Sequence, residues 1–177
     1  MVNMKGITYS TDKGILTLED NIQSGKLAEK YFKMEHDPDQ IPASIENVRW
    51  INKHIPECVN VMKNYQEIIG FTFIIPATRK LMNEFISGKI SENSMFEEVK
   101  KSVNYRNFET IYLCSAFVKP EYRRKGLALE GFVKSIEILM EKRNIRPILF
   151  YWEYTPEGGR MCKSIADKLN LDSRKKV

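Results

Sequence analysis

The strongest constraint on the fold is the order of three segments in the second half of the chain. Residues 108–118 form an apolar, strand-like run, residues 127–143 carry a broad apolar face at helical spacing, and residues 147–154 form a second apolar run. Two strands joined through one helix are parallel, and the crossover between them is right-handed. Earlier in the chain, residues 58–66 and 68–75 are typical of a strand pair with a tight turn. The sequence therefore predicts an α/β (α+β) chain with a central mixed β-sheet flanked by helices.

A short basic loop connects the first of these strands to the helix. Four cationic side chains lie around it against one acid, Glu121: Lys119, Arg123, Arg124 and Lys125. The first-turn N–H groups of a helix lack intrahelical partners, and the helix dipole is positive at that end. Gly126 allows the backbone to approach an anion with no side chain in between. This arrangement predicts a phosphate-binding site.

Length and composition are those of an ordinary globular protein. The chain has 177 residues, of which 42% are hydrophobic and 29% charged, so we expect one domain over residues 1–177. The formal net charge of +5 favours anionic ligands without choosing among them. The sequence has neither helix-turn-helix spacing nor an RNP-like aromatic motif, which disfavours a nucleic-acid partner.

The cysteines and the hydropathy pattern indicate a cytoplasmic compartment and disfavour both a metal site and a membrane span. Cys58, Cys114 and Cys162 are isolated and odd in number, and no Cys/His cluster has the spacing of a metal site. No apolar run is long enough for a transmembrane helix, and the charged N-terminus is not a secretory signal. We therefore expect a cytoplasmic protein with no metal and no membrane contact.

The basic loop also carries a family motif. Val118-x-Pro120 followed by Arg123-x-x-Gly126-x-Ala128 resembles the coenzyme A signature of the GNAT superfamily of N-acetyltransferases. The order of elements over residues 16–171 is similar to that fold, although the motif is sharp only within residues 113–128. The resemblance implies a GNAT-like acyl-CoA N-acyltransferase fold with acetyl-CoA as the acetyl donor.

The resemblance also assigns roles to the residues around the loop. It implies that backbone N–H groups cradle the pyrophosphate and that Arg123 or Lys125 contacts phosphate oxygens. The backbone of residues 116–118 would pair with the pantetheine arm as an added strand, and an N–H near Phe117 would face the acetyl oxygen. The predicted cofactor-binding residues are Ala116, Phe117, Val118, Arg123, Arg124, Lys125, Gly126, Leu127 and Ala128.

The catalytic groups depart from the family pattern. Some members use a glutamate on the motif strand as the base, and here Tyr112 stands at that position. Many members carry a tyrosine in the fourth helix that protonates the leaving thiolate, and here Ala166 stands at that position. The polar candidates that remain are Tyr154, Glu153 and Cys114, with Tyr154 preferred as proton donor and Tyr151 or water as alternatives.

The C-terminus is the second departure. GNAT domains usually continue after the fourth helix with two more strands, whereas residues 172–177 look too short and too charged for strands. We therefore expect the sheet to lack its last two strands and residues 147–154 to lie at an edge. An exposed apolar edge strand needs cover, which the first ~15 residues or a homodimer would provide.

The sequence leaves two principal functions open. The first is an acetyl-CoA-dependent N-acetyltransferase, in which an amine attacks the thioester directly; the acceptor is a small metabolite, an antibiotic, or a protein lysine or N-terminus. The alternative is a non-catalytic module that binds or senses acyl-CoA. We expect acceptor specificity to lie in residues 35–55 and 79–106.

Overall fold

The computed structural model describes residues 5–14, 16–32, 37–101 and 105–176. Its strands are β1 (Ile7–Tyr9), β2 (Val59–Asn64), β3 (Glu67–Ala77), β4 (Thr110–Val118), β5 (Ile148–Trp152) and β6 (Ser173–Lys176). Its helices are α1 (Leu18–Phe32), α2 (Ile45–His54), α3 (Arg79–Ile86), α4 (Glu92–Lys101), α5 (Leu127–Arg143) and α6 (Pro156–Leu169).

The six strands form one sheet in the order β1-β2-β3-β4-β5-β6. The first four strands are antiparallel to their neighbours, whereas β4, β5 and β6 run parallel. The predicted mixed sheet, the parallel relation of β4 and β5, and the early hairpin of β2 and β3 are confirmed. The crossover helices α5 and α6 contact each other. This agrees with the general rule that crossovers between parallel strands are right-handed, which places two successive crossovers in the same direction on the same face of the sheet.

The centre of the sheet is β3, which is buried from Ile69 to Ala77. Thr72 faces α5, where a Cβ at Gly131 would lie 3.0 Å from its side chain. On the opposite face, Phe73 makes an edge contact with Phe96 of α4, with ring centroids 6.3 Å apart. Helices therefore cover both faces of β3, which explains its nearly continuous apolar sequence.

The C-terminal residues correct the expectation that the sheet has no strand after the last helix. Residues 173–176 are a strand, β6, whose register with β5 runs from Leu149↔Ser173 to Trp152↔Lys176. Lys176 places its ammonium group 4.3 Å from the ring centroids of both Phe85 and Trp152. Charge did not prevent pairing, because an edge strand bonds through its backbone while its side chains reach solvent.

β5 is consequently an inner strand, and the prediction that it lies at an edge was wrong. β6 pairs with the side of β5 that was expected to be open, whereas β1 pairs with β2 at the far side of the sheet, so the N-terminal segment does not cover β5. Within the part of the chain that the structure describes, one strand follows the last helix. The family pattern has two strands there, and the composition of the tail predicted none.

Candidate active site

A gap opens between β4 and β5 where their pairing stops. The two strands pair only from Thr110↔Ile148 to Tyr112↔Phe150. Beyond this point β4 continues to Val118, bonded to β3 alone. The side of β4 that faces away from β3 therefore offers free backbone groups along its second half.

The register identifies which backbone groups face the gap. Lys119 N–H donates to Ile69 C=O over 2.8 Å, so this is a hydrogen-bonded pair of the antiparallel ladder. Alternation then directs the N–H of Phe117 towards β3 and the N–H groups of Ala116 and Val118 towards the gap. The N–H near Phe117 that is a candidate oxyanion donor is therefore that of Ala116 or Val118. The Phe117 side chain is buried and stacks on Tyr31 with ring centroids 4.1 Å apart.

A β-bulge lies beside the gap. Phe73 pairs with Ser115 and Ile74 with Leu113, which leaves Cys114 as the extra residue on β4. A bulge re-aims a side chain and interrupts regular pairing. Here the re-aimed Cys114 thiol contacts Glu92 at the start of α4, with Sγ and Oε1 3.3 Å apart.

The basic loop, the predicted phosphate site, lies at the other end of the gap. Arg124 and Gly126 both have positive φ, 61° and 76°, and α5 begins at the next residue. The first helical bond is Glu130 N–H to Gly126 C=O, so the N–H groups of Leu127 and Ala128 have no partner within the helix. Successive N–H groups in such a turn form an anion-binding concavity.

The side chains of the loop are available to a ligand. Arg123, Arg124 and Lys125 are exposed, and none of them forms an ion pair within the described ranges. Arg123 Nε donates to Val118 C=O over 2.8 Å, which ties the loop to the end of β4. Lys119 instead pairs with Glu67. The structure therefore brings the predicted phosphate-binding residues together beside the gap.

Glu92 is the functional candidate that the sequence analysis missed. Its side chain is 7% exposed, and its carboxylate accepts hydrogen bonds from Tyr112 OH at 3.2 Å and Cys114 Sγ at 3.3 Å. Burial raises the pKa of the Glu92 carboxyl, and nearby Asp37 adds to this, whereas the bonds from Cys114, Tyr112 and the Ile41 backbone oppose it. In sequence, an acid in the first turn of a helix indicates only a favourable dipole interaction.

Cys114 lies at the cavity but is held as a neutral thiol. Burial raises its pKa well above the usual range, and the adjacent Glu92 raises it further. The same two causes, burial first, raise the pKa of the Tyr112 hydroxyl. A nucleophilic cysteine requires a lowered pKa, so this site does not favour a covalent acyl-cysteine.

The structure separates the two remaining catalytic candidates. Tyr154 follows β5, lines the cavity and lies over Trp152 with ring centroids 4.2 Å apart. Burial, together with the charges of Glu92 and Asp37, raises the pKa of Tyr154 to about 12. Glu153 is not among the lining residues, and its carboxylate pairs with Lys175 of β6 at 3.4 Å. Tyr154, Cys114 and Glu92 thus share one cavity, and Glu153 lies outside it.

The cavity itself has a volume of about 450 Å³ and is lined from both faces of the sheet. Residues of α1, α2 and the segment before α2 form one wall, Phe132, Met161 and Cys162 another, and Cys114 to Ala116 the strand between them. Its volume is typical of small-molecule sites. Of the two predicted specificity regions, described residues within 37–55 line one wall, and the 79–106 region contributes Glu92.

Two classes of site find no support in the part of the chain that is described. No group of three or more His, Cys, Asp or Glu side chains there is arranged to hold a metal ion. Within the same residues, no helix is long and apolar enough to cross a bilayer.

Comparison with known proteins places the fold. No protein-family model matches the sequence, and no curated protein is significantly similar to it. Among solved structures, an aminoglycoside acetyltransferase from an uncultured soil metagenomic sample, in complex with trehalose, is similar with a TM-score of 0.52 and 15% identity, over 97% of this chain and 90% of that one. An integron cassette protein from the mobile metagenome of Cole Harbour Salt Marsh is similar with a TM-score of 0.52 and 10% identity, over 94% and 83%.

A ribosomal-protein-alanine N-acetyltransferase from Brucella melitensis biovar Abortus 2308 matches less closely, with a TM-score of 0.47 and 12% identity over 92% of this chain and 89% of that one. At these identities the likeness concerns the fold and not the substrate. Three features of the site come from the geometry of this chain and not from its structural neighbours. They are the splaying of β4 and β5, the bulge on β4 and the loop before α5. The chain therefore has a GNAT-like fold, which is the fold that the motif from Val118 to Ala128 predicts.

Proposed function

We propose that this protein is an acetyl-CoA-dependent N-acetyltransferase that transfers an acetyl group to an amine by direct attack on the thioester. The observation that carries the proposal is the gap between β4 and β5. It runs from the basic loop at Gly126 to a cavity that contains a buried carboxylate. A site that grips an anionic carrier at one end and holds a base at the other is suited to acyl transfer.

The residues present fit coenzyme A. The unpaired N–H groups of Leu127 and Ala128, with Arg123, Arg124 and Lys125, would hold the pyrophosphate. The backbone of Ala116 and Val118 would bond the amides of the pantetheine arm across the gap, as an added strand does. These roles use mainly backbone groups, which explains why a short motif is enough to indicate them.

Three groups of this chain would carry the chemistry at the acetyl end. The Glu92 carboxylate accepts a proton from the attacking amine, since it is buried at the cavity and its pKa is raised towards neutrality. The N–H of Ala116 stabilises negative charge on the acetyl oxygen. Tyr154, which holds its proton at neutral pH because its pKa is about 12, protonates the departing sulfur.

The balance of the reaction follows from these roles. A C–N bond forms, the thioester C–S bond breaks, and an ammonium ion plus a thioester give an amide, a free thiol and one proton. Of the two protons that the nitrogen loses, one passes through Glu92 to solvent and the other restores Tyr154, whose own proton went to the sulfur. Cys114 takes no covalent part, because burial and Glu92 keep its thiol protonated.

One observation favours the alternative of a non-catalytic acyl-CoA module. Ala166, at the position where many family members carry the donor tyrosine, is 2% exposed and packed in the core. Its side chain has no proton to give. Release of free thiol from acetyl-CoA in the presence of an amine panel separates the two functions, since a pure binding module retains affinity and releases none.

The test of the cofactor site uses two glycines with nearly equal backbone geometry. Gly126 has φ of +76° and Gly88, after α3, has φ of +74°, and a Cβ at either would meet open space. Alanine costs about 1–2 kcal/mol of backbone strain at such a φ in both cases. Only Gly126→Ala also places a methyl group where phosphate approaches.

We expect calorimetry with acetyl-CoA to show weakened binding for Gly126→Ala and unchanged binding for Gly88→Ala, with similar losses of thermal stability. Arg123→Ala removes a charged contact worth about 1.5–3 kcal/mol, which is roughly 10- to 150-fold in Kd. Folded Gly126→Ala and Arg123→Ala variants that bind like the wild type would show that coenzyme A is not held here.

A further inference from the structure

The cavity wall has an unusual distribution of charge. Among the described residues that line it, Glu92 is the one acid, and there is no lysine, arginine or histidine. The other polar groups are neutral amides, hydroxyls and a thiol on a wall that is otherwise apolar and aromatic. Ligand sites of this kind derive specificity from a few polar groups set in an apolar surface.

The Glu92 charge is not neutralised by the protein's described residues. No ion pair of Glu92 occurs among them, and its hydrogen-bond donors, Tyr112 and Cys114, are uncharged. The nearby charged group is Asp37, which has the same sign. A buried carboxylate without a counter-charge is unfavourable, and a cation in the cavity would relieve it.

From this charge distribution we infer the class of acceptor. We propose that the acceptor is a compact apolar amine, of the alkylamine or arylalkylamine kind, with one positive charge and no carboxylate. Its ammonium group lies against Glu92, and its apolar part lies on the wall of α1, α2 and the aromatic side chains of Trp152 and Tyr154. The inference rests on the proposed function, because it names the substrate of the same site.

The wall disfavours two other kinds of amine. An amino acid brings a carboxylate, which would meet no described cation in the cavity and would be repelled by Glu92. An aminoglycoside brings several ammonium groups and many hydroxyls, for which one buried carboxylate and a largely apolar wall offer too few partners. The fold neighbour that is an aminoglycoside acetyltransferase therefore does not set the expectation for this chain.

A matched panel tests the inference by turnover. Phenethylamine and phenylalanine differ by one carboxylate, and kanamycin represents the polycationic class. With saturating acetyl-CoA, we expect kcat/KM from thiol release to be roughly 100-fold higher for phenethylamine than for phenylalanine or kanamycin, the usual scale of leaving a charge unpaired in a buried site. Equal or faster turnover of phenylalanine or kanamycin would overturn the acceptor class and leave the acetyltransferase proposal standing.

A binding measurement keeps the test independent of turnover. Calorimetric titration of each amine into the protein saturated with coenzyme A should show phenethylamine binding and no binding of phenylalanine. Glu92→Gln should remove phenethylamine binding, while Glu98→Gln, which changes an exposed carboxylate of the same helix paired with Lys101, should leave it intact. If acetyl-CoA binds without thiol release but phenethylamine still binds selectively through Glu92, the catalytic proposal fails and the acceptor class holds. If the titration does not distinguish the two amines, the acceptor class is wrong.

Discussion

At the scale of single residues, burial and the charge of Glu92 shift the pKa values of the polar groups in the cavity, including Tyr154, which remains 56% exposed. Burial raises the pKa of Glu92, Cys114 and Tyr154, but the consequences differ. A carboxyl with a raised pKa becomes a better base near neutral pH, a thiol becomes a poorer nucleophile, and a phenol stays protonated. The same direction of pKa shift therefore fits the three different roles that we propose for these side chains.

Tyr154 gives a prediction at this scale. Tyr154→Phe removes the hydroxyl and keeps the ring that lies over Trp152. We expect kcat to fall by roughly 10- to 100-fold, the usual effect of losing a general acid, with acetyl-CoA affinity near that of the wild type. Steady-state thiol release and calorimetry measure the two quantities.

Tyr65→Phe is the matched control, since Tyr65 is 68% exposed at the turn between β2 and β3. It should behave as the wild type in both assays. Full turnover in Tyr154→Phe would move the donor role to water or to Tyr151, the alternatives that the sequence leaves open.

At the scale of elements, β6 is the strand that pairs with β5 and forms the edge of the sheet on the side of the gap. β5 consists of the apolar run Ile148–Trp152. The side of β5 that faces away from β4 pairs with β6, whose four residues are mainly cationic. An apolar strand with unpaired N–H and C=O groups is a template for association with other chains. The basic side chains of β6 leave an outer edge that repels further strands.

Removal of β6 is therefore expected to affect both stability and association. A chain truncated after Asp172 exposes the edge of β5 and loses the Lys176 contacts with Phe85 and Trp152. We expect a lower Tm and higher oligomers by light scattering. A full-length variant with Arg174→Gln and Lys175→Gln retains the strand backbone and should have a Tm close to that of the wild type. A truncated chain that stays monodisperse and melts with the full chain would show that β6 does not protect β5.

At the scale of the whole molecule, the buried Glu92 carboxylate lowers the free energy of unfolding when it is ionised. Glu92 is buried without a described counter-charge, so the folded state disfavours its ionised form. In the folded state the carboxyl binds its proton more tightly than in the unfolded state, where its pKa is ~4.3. As pH rises from this value through the raised pKa of Glu92, the unfolded state holds fewer protons than the folded state, and the free energy of unfolding falls.

Glu92→Gln isolates this term, because it keeps the shape of the side chain and removes the charge. We expect the variant to have a higher Tm than the wild type at about pH 8, with the difference shrinking towards about pH 4, where the carboxyl is protonated in both states. The titratable groups that face Glu92 are present in both proteins. Burial raises the pKa values of Tyr112, Cys114 and Tyr154, so these three stay protonated across this pH range. A variant that is less stable than the wild type at every pH would show that hydrogen bonds to the ionised carboxylate outweigh its burial.

Local sequence patterns determined the part of this protein that depends on short-range physics. Alternating and continuous apolar runs indicated β3, β4 and β5, helical spacing indicated α5, and the loop from Val118 to Ala128 indicated the anion site. These features depend on neighbours within a few residues, because hydrophobic periodicity, glycine at positive φ and free helix N–H groups are local properties.

Only the tertiary structure decided the rest. Glu92 meets Cys114 across 22 residues of sequence, and nothing at the start of α4 distinguishes it from an ordinary first-turn acid. The bulge at Cys114 comes from the register between β3 and β4, and β6 pairs through backbone groups that every residue carries. Contacts between distant segments leave no local signature, and neither does backbone pairing, which every residue can make. The candidate catalytic carboxylate and the closing strand therefore emerged only when the chain was folded.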